Sequence, residues 1–350
     1  MSHIAVIGTG AWGTTLARLI ALEQVRAAYS AGASASPVQE VMLWEHRPER
    51  AMEMQWQREN RAYLPGFPLP ANLYVTADLA QAVAGRDIIL FVTPSQQARE
   101  NARALAPLLA PGACVVSGSK GLELGTHLRL TEVLAQELPA TVSVATLSGP
   151  NLAKEIAQGL PSAAVVAAED KAAAERARAA LNTPDFRVYT SDDVIGVELG
   201  GALKNIIALG VGACDGLLYG DNAKAAFMTR ALAEISRLAL AAGANPLTLA
   251  GLAGLGDLIA TCSSPLSRNR ALGLDLAKGR PLAEVLAERK TVAEGVTTTR
   301  AALEMAADLG VELPITREIG RVLFEGKAIR EAVTTLMGRE PKRELAGLGE

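Results

Sequence analysis

The feature that most constrains the fold is an alternation, through the first half of the chain, of short apolar runs with longer amphipathic or alanine-rich stretches. The runs are apolar on both faces, as parallel strands covered by helices are. This alternation predicts a doubly wound parallel α/β sheet whose crossovers are helical. The predicted strands are 3–8, 40–45, 87–93, 114–119, 142–148 and 162–168.

Near residue 190 the pattern changes to long helical runs that are broken by glycine and proline and contain no convincing strand. We therefore predict two domains, an α/β domain over 1–190 and an all-helical domain over 191–350. Two domains also suit a chain of 350 residues. The low-complexity stretch SAGASASP, at 30–37, is interpreted as a loop.

Composition argues against several kinds of partner. The formal net charge of -3 and the 4% of aromatic residues disfavour nucleic-acid binding, which uses basic patches and stacking side chains. No apolar run reaches the ~18 residues of a membrane span, and the N-terminus enters a strand pattern directly, unlike a signal peptide. Cys114, Cys214 and Cys262 lie among apolar residues, as free thiols in a reducing cytoplasm do. No cluster of cysteines and histidines has the spacing of metal ligands.

A glycine-rich turn, GTGAWG, joins the first predicted strand to the first helix. In this strand–turn–helix context the spacing G-x-G-x-x-G indicates a dinucleotide site, with the pyrophosphate at the helix N-terminus. Gly8 would permit the tight turn, Gly10 would let the backbone approach the pyrophosphate, and Gly13 would let the helix pack on the strand. A plain glycine-rich turn is the alternative.

The ribose of such a cofactor should be bound at the end of the second strand, where Glu45, His46, Arg47 and Arg50 follow VMLW. An acid there suits NAD, whereas an arginine suits the 2′-phosphate of NADP. Because both are present, we expect NADP(H) and NAD(H) to be accepted, with NADPH modestly favoured. We expect the two arginines to be exposed, so that salt weakens the preference.

A dehydrogenase acting on an alcohol or ketone also needs a proton donor. Histidine is the commonest, but His3, His46 and His127 all precede the predicted helical domain, which directs attention to lysine. Lys204 is the one lysine in the apolar run ELGGALKNIIALGVGAC. A desolvated lysine has a lowered pKa and can transfer a proton near neutrality. The alternative is a lysine whose ammonium reaches solvent.

Small residues surround Lys204 at helical spacing and would leave room for a ligand: Gly200, Gly201, Ala208 and Val211. Lys120 follows a predicted strand, at the edge of the sheet where α/β proteins bind ligands, although it could equally be a surface lysine of the loop.

A further candidate element lies in the second half of the chain. Asp257 follows a run of glycines and could orient a lysine ammonium. Ser267, Arg268 and Asn269 open the next helix, which would make either an anion site or a capped turn with a surface Arg–Asp pair.

The order and length of the motifs resemble bacterial NAD(P)-dependent glycerol-3-phosphate dehydrogenase, nearly from end to end. The motifs that carry this resemblance are GTGAWGT, NRAYLPG, SKGLE, LSGPNLAKE, GGALKNIIALGVG, GLAGLGDLIATC, SRNRALG, VAEGVTTT and LMGREPKRE. That family has a Rossmann domain followed by a helical domain. It reduces dihydroxyacetone phosphate, a small phosphorylated substrate, to sn-glycerol 3-phosphate for phospholipid synthesis.

The resemblance also implies residue roles. Lys204 would be the general acid/base, with Lys120 and Asp257 beside it in the catalytic group. The substrate would be held by Lys120, Gly149, Asn151, Lys204, Asp257, Ser267, Arg268 and Asn269. Besides the three glycines and Arg47, the dinucleotide would be lined by Ala11, Trp12, His46, Tyr63, Lys120, Ala153, Arg268, Val292 and Glu294.

Two departures from the family and two alternatives stay open. The family more often has Ser or Thr at position 151, and it is shorter before Val41, where this chain carries the 30–37 insertion. A related two-domain reductase acting on hydroxyacids or ketopantoate would share the architecture, and a redox sensor would bind dinucleotide without turnover. We expect a cytoplasmic homodimer.

Overall fold

The structure, a computed structural model, describes residues 3–30, 38–288, 293–341 and 343. The chain forms two compact units. Unit 1 comprises the residues up to Ser119, Leu130–Leu147 and Asn151–Val194. Unit 2 comprises Lys120–Arg129, Ser148–Pro150 and the residues from Ile195 onward. The sequence-based domain boundary near residue 190 stays a prediction.

Unit 1 is built on an eight-stranded sheet in the order β10-β9-β8-β7-β6-β1-β2-β5. The pairings of β1 with β2 and β6, of β2 with β5, of β6 with β7, of β7 with β8 and of β9 with β10 are parallel. A separate antiparallel pair joins β3 and β4. The strands are β1 Ile4–Ile7, β2 Val41–Trp44, β3 Glu59–Asn60, β4 Leu64–Pro68, β5 Leu73–Thr76, β6 Ile88–Phe91, β7 Cys114–Ser117, β8 Ser143–Ser148, β9 Ser162–Ala167 and β10 Phe186–Ser191.

All six predicted strands are confirmed, as β1, β2 and β6 to β9. The sequence patterns of β5 and β10 were not recognised, and both are edge strands of the sheet. An edge strand exposes alternate side chains, and β5 and the start of β10 alternate buried and exposed positions. They therefore lack the continuous apolar run by which the inner strands were found.

Seven helices belong to unit 1 and connect or cover the strands. They are α1 Ala11–Ser30, α2 Pro48–Gln57, α3 Leu79–Val83, α4 Ala98–Leu105, α5 Leu130–Glu137, α6 Ala153–Ala157 and α7 Lys171–Leu181. Two of them begin at carboxylate caps, since Asp78 accepts from the backbone N–H of Gln81 and Asp170 from that of Ala172. The predicted loop at 30–37 starts at the last residue of α1, and its remaining positions lie outside the described residues.

Unit 2 is helical, as predicted, and its described residues from Ile195 onward contain no strand. The helices are α8 Val194–Gly216, α9 Gly220–Ala241, α10 Asp257–Ser263, α11 Arg268–Ala277, α12 Leu282–Glu288, α13 Glu294–Asp308, α14 Pro314–Phe324 and α15 Ile329–Met337. Between α9 and α10 lie a 3₁₀ segment, Pro246–Ala250, and a π-helical turn, Leu252–Gly256.

The long helix α8 forms the core of unit 2. Its side chains Leu203, Ile206, Ile207 and Ala208 are almost fully buried. Among the described residues, two segments, α8 and Pro246–Ser263, are long and apolar enough to cross a membrane by length and composition alone, so the expectation that no apolar run is this long was wrong. Most of the apolar window of α8 is buried inside the protein, and packing in a helical core accounts for its composition.

Candidate active site

The three glycines of the turn in unit 1 occupy different surroundings. Gly8 has a positive φ of 114°, and a Cβ there would overlap the carbonyl oxygen of Val92. A Cβ at Gly13 would overlap the carbonyl oxygen of Gly8, whereas a Cβ at Gly10 would meet nothing within 4 Å. Gly8 and Gly13 are therefore needed for packing, and only Gly10 faces open space at the start of α1. Such a cradle, at a helix N-terminus, fits a dinucleotide pyrophosphate.

The side chains predicted to line the dinucleotide are held by contacts within unit 1. Ala11 begins α1, and the Trp12 indole packs edge-on against Phe186, with ring centroids 6.2 Å apart. The Trp12 Nε1–H is buried and has no partner among the described residues. The carbonyl of Ala153 accepts a hydrogen bond from the Thr15 hydroxyl, 3.1 Å away. The roles of these residues toward a cofactor stay predictions.

The carboxylate of Glu45 is enclosed by its neighbours and is 1% exposed. It accepts hydrogen bonds from the Thr9 hydroxyl and from Arg47 Nε (2.9 Å), and it lies 3.4 Å from Arg50 Nε and 3.1 Å from His46 Nδ1. Burial alone would raise the pKa of Glu45, but the hydrogen bonds from Arg47 and Thr9 lower it below its ordinary value. Its oxygens are buried and engaged within unit 1, and the binding of ribose hydroxyls by an acid at this position stays a prediction.

Arg50 is largely buried, which corrects the expectation that both arginines are exposed. Its side chain is 14% exposed, against 46% for Arg47. Arg50 Nη2 donates to Asn60 Oδ1 (2.9 Å), and the guanidinium lies over the Tyr63 ring, 4.2 Å from its centroid. Asn60 Nδ2 in turn donates to the carbonyl of Thr9 (2.7 Å), in the glycine turn. Arg50 is therefore part of the framework of the turn, and Arg47 is the more accessible of the two cations.

A buried carboxylate shared by two lysines forms the centre of unit 2. Lys204 donates to Asp257 Oδ1 and to the Thr261 hydroxyl (2.5 Å). Lys120 donates to Asp257 Oδ2 (2.5 Å) and to the carbonyl of Gly149 (3.1 Å). Lys204 is only 6% exposed, so the alternative of a lysine reaching solvent is wrong.

The surroundings of Lys204 change its acidity. The pKa of Lys204 is lowered from the ordinary 10.5 to about 8. Desolvation by burial is the largest cause; the nearby charge of Asp257 raises the pKa, and the charge of Lys120 lowers it. A pKa near 8 allows both protonation states of Lys204 close to neutral pH. This environment is the one in which a lysine can act as a proton donor and acceptor.

The two glycines beside Lys204 do not leave room for a ligand, contrary to the sequence-based expectation. A Cβ at Gly200 would lie 2.8 Å from the carbonyl oxygen of Ala253, and a Cβ at Gly201 would overlap the Ser148 hydroxyl. Other segments of unit 2 therefore fill both positions against the backbone of α8.

The start of α11 is a capped turn. The Ser267 hydroxyl accepts from the backbone N–H of Arg270 (3.2 Å), and Arg270 forms an ion pair with Asp215 (2.6 Å). Arg268 is the first residue of α11 and is exposed. The anion site predicted here is untested, and Arg268 is its accessible cation.

Asn269 links three helices instead of facing open space. Its Nδ2 donates to Asn205 Oδ1 on α8 (2.9 Å), and its Oδ1 accepts from the backbone N–H of Gly295 at the start of α13 (3.0 Å). Glu294 is the first residue of α13. Val292, also predicted to line the cofactor, lies outside the described residues.

Asn151, in unit 1, carries the clearest unsatisfied polar group. Both atoms of its side-chain amide are buried and have no partner among the described residues. Buried polar groups in proteins are nearly always paired, so an amide in this state is available to a ligand. This is compatible with the substrate role that the resemblance implies, although the family more often has Ser or Thr at this position.

Sequence reasoning overlooked Thr261, Asn205 and Asn60. Thr261 follows Asp257 by one helical turn, a spacing that could have revealed it. Asn205, a polar residue in an apolar run, was detectable in the same way. The argument from histidine was wrong in one respect: His127 belongs to unit 2, where its Nε2 lies 3.0 Å from Asp308 Oδ2. Among the described residues no group of three or more His, Cys, Asp or Glu could hold a metal ion.

A glycine turn that opens a parallel sheet and a buried lysine of lowered pKa in a helical unit are features expected of a nicotinamide-dependent dehydrogenase. Two family models match the chain. That of the NAD-dependent glycerol-3-phosphate dehydrogenase N-terminus covers residues 3–174, and that of the C-terminus covers 193–334. The chain belongs to this family of NAD(P)-dependent oxidoreductases.

Individual relatives agree. The chain is 50% identical to a glycerol-3-phosphate dehydrogenase [NAD(P)+] of Thermobifida fusca over 87% of this chain and 88% of that protein. It is 47% identical to that of Geobacter metallireducens over 97% and 98%. The crystal structure of glycerol-3-phosphate dehydrogenase from Coxiella burnetii is similar with a TM-score of 0.89 and 38% identity, covering 97% of this chain and 99% of that one.

The surroundings of the glycines predict opposite effects of one added methyl group. Gly13→Ala should cost ~1 to 3 kcal/mol of stability, because its Cβ overlaps backbone. Gly10→Ala should leave the denaturation midpoint nearly unchanged and weaken dinucleotide binding roughly tenfold or more, because it fills the cradle. Denaturant unfolding and fluorescence titration with NADPH measure the two effects. Tight binding by Gly10→Ala would show that the cofactor does not lie there.

The different burial of Arg47 and Arg50 predicts different losses. Arg47→Ala should weaken NADPH by ~1 kcal/mol and NADH much less, because an exposed charge-assisted contact to the 2′-phosphate is lost. Arg50→Ala should weaken both cofactors and lower stability, because it breaks the contacts with Asn60 and Tyr63. The measurement is the ratio of the specificity constants for NADPH and NADH at low and high salt. An unchanged ratio in Arg47→Ala would mean that the 2′-phosphate is bound elsewhere.

Proposed function

We propose that the chain catalyses the reversible NAD(P)H-dependent reduction of dihydroxyacetone phosphate to sn-glycerol 3-phosphate. The observation that carries this proposal is the hydrogen bonding of Lys204. An ammonium has three protons, and the described residues take two of them, through Asp257 and Thr261. The third is left for the carbonyl oxygen of a substrate.

The lysine cluster has the charge that this reaction needs. With both lysines protonated, Lys120, Lys204 and Asp257 carry a net charge of about +1, which attracts an anionic substrate. A nicotinamide held by unit 1 would supply the hydride for the carbonyl carbon. Lys204 gives its proton to the developing alkoxide, and the cluster then becomes neutral. Asp257 and Thr261 hold the amine in place through the transfer.

The remaining assignments follow the family resemblance. Arg268 would pair with the substrate phosphate, because a guanidinium can donate two parallel hydrogen bonds to a phosphate. Asn151 would contact the substrate through its unpaired amide. The product is the glycerol unit of glycerophospholipids, so we propose that the enzyme supplies their synthesis. We also propose a cytoplasmic location and a homodimer.

The direct test is oxidation of NADPH and NADH by the purified protein with different carbonyl substrates. We expect rapid turnover with dihydroxyacetone phosphate, weak turnover with unphosphorylated dihydroxyacetone and none with ketopantoate. Preference for ketopantoate would assign the related reductase activity. Binding of NADPH without turnover of any of the three would favour a redox sensor.

The lowered pKa of Lys204 predicts the pH dependence of both directions. Reduction needs the protonated lysine, so its turnover number should fall as pH rises through about 8, and oxidation of sn-glycerol 3-phosphate should rise over the same range. Lys204→Ala should lower turnover by ~10² to 10⁴-fold while dinucleotide binding persists. Lys171→Ala, at an exposed lysine of α7, is the matched control. Near-normal turnover in folded Lys204→Ala would remove Lys204 from this role.

A further inference from the structure

The segment before Asp257 has an unusual backbone. Leu252–Gly256 is a π-helical turn, in which the N–H of Gly256 donates to the carbonyl of Gly251 (3.0 Å) and the N–H of Asp257 donates to that of Leu252. Single π-helical turns are rare and frequently occur at functional sites. Here the turn leads directly into the carboxylate that two lysines share.

The backbone of this turn packs directly against the backbone of α8. A Cβ at Gly200 would lie 2.8 Å from the carbonyl oxygen of Ala253 and 3.2 Å from the Cα of Gly254. On its other side the turn lies still closer to the preceding 3₁₀ segment, because a Cβ at Gly254 would overlap the carbonyl oxygen of Leu249. The turn is therefore held from both sides by main-chain atoms, which cannot rotate away as a side chain can.

The contact at Gly200 lies one helical turn from the chemistry. Gly200 precedes Lys204 by four residues, so both project from the same face of α8, about 6 Å apart along its axis. The segment that touches Gly200 through Ala253 and Gly254 reaches Lys204 through Asp257. The contact at Gly200 is between main-chain atoms and is rigid, whereas the contact between Lys204 and Asp257 runs through flexible side chains. The contact at Gly200 therefore sets how far the backbone of Asp257 lies from α8.

We propose that Gly200 is a positioning residue, which seats the π-helical turn on α8 and thereby holds the Asp257 carboxylate at hydrogen-bonding distance from Lys204. This inference rests on the proposed function of Lys204 as proton donor. It assigns a role to Gly200, which touches neither substrate nor cofactor in that proposal. A side chain at position 200 would push the turn outward by a few tenths of an ångström or more, and the ion pair would lengthen.

A longer ion pair changes the acidity of Lys204 in a predictable direction. The charged and titratable groups that act on its ammonium are Asp257, Lys120 and Cys262. Asp257 raises the pKa of Lys204, whereas Lys120 and burial lower it. When Asp257 moves away, its raising influence weakens, the pKa of Lys204 falls further, and a smaller fraction of Lys204 is protonated at a given pH.

The test compares Gly200→Ala with Gly210→Ala in the same helix. A Cβ at Gly210 overlaps the Phe227 ring, so the control also strains α8 but does not touch the π-helical turn. In the pH profile of the turnover number for reduction, the basic limb is the range over which turnover falls as pH rises. For Gly200→Ala we expect this limb to move to lower pH by about 0.5 to 1 unit. Turnover should fall by at most about twofold at pH 7 and by about three- to ninefold at pH 9, with the Michaelis constant for NADPH unchanged. Gly210→Ala should keep the wild-type limb even if its stability is lower.

A rescue variant separates positioning from general damage. Asp257→Glu adds one methylene to the carboxylate, so in the Gly200→Ala background it should move the limb back toward the wild-type pH. If Gly200→Ala does not fold, Ala253→Gly is tested in its place. This substitution adds no atom but loosens the turn, and it should also move the basic limb to lower pH. A limb at the wild-type pH in folded Gly200→Ala, or in Ala253→Gly when that variant carries the test, would overturn the inference.

Failure of the inference is distinguishable from failure of the proposed function. If the wild-type protein does not reduce dihydroxyacetone phosphate, or if folded Lys204→Ala keeps the basic limb, the proposed function fails first. If the wild-type limb depends on Lys204 and the Gly200→Ala limb coincides with it, only the positioning role is wrong.

Discussion

The structure of unit 2 depends on one buried carboxylate, Asp257, that two lysines share. Removing three ionised groups from water is costly, and their mutual attraction compensates only when geometry is close and further hydrogen bonds are present. Thr261 and the carbonyl of Gly149 supply such bonds to Lys204 and Lys120 respectively. Burial is the main reason that the pKa of Lys204 is low, and the charge of Lys120 lowers it further. The excess positive charge that remains suits the cluster to an anionic substrate.

Glycine serves two opposite purposes in this protein. At Gly13 and Gly200 the missing side chain is replaced by protein backbone, so these positions enforce close packing. At Gly10 the space stays open toward a helix N-terminus, where a ligand's phosphates can approach the backbone. The G-x-G-x-x-G spacing identifies the group, but only the packed neighbours show which glycine faces a ligand.

The acid after the second strand illustrates how tertiary packing changes the meaning of a motif. Glu45 occupies the position from which an acid would bind a ribose, yet it is buried against Thr9 and Arg47. Its negative charge therefore stabilises the turn and neutralises part of the arginine charge nearby. The net positive charge that remains, on the more exposed Arg47, is what a 2′-phosphate would meet.

The sequence alone determined the inner strands, the helical second half and the importance of Lys204, because continuous apolar runs and a lone charge within one are local patterns. Edge strands such as β10 were not predicted, because their alternation of buried and exposed residues is a weaker signal than the continuous apolar run of an inner strand. Only the tertiary structure decided that Gly200 and Gly201 accommodate other segments, that Arg50 is buried, and that Lys120 and Lys204 meet on Asp257. The contacts of Asp257 with Lys204 and Lys120 join residues 53 and 137 positions apart along the chain, and no local pattern encodes which distant atoms fill a given space.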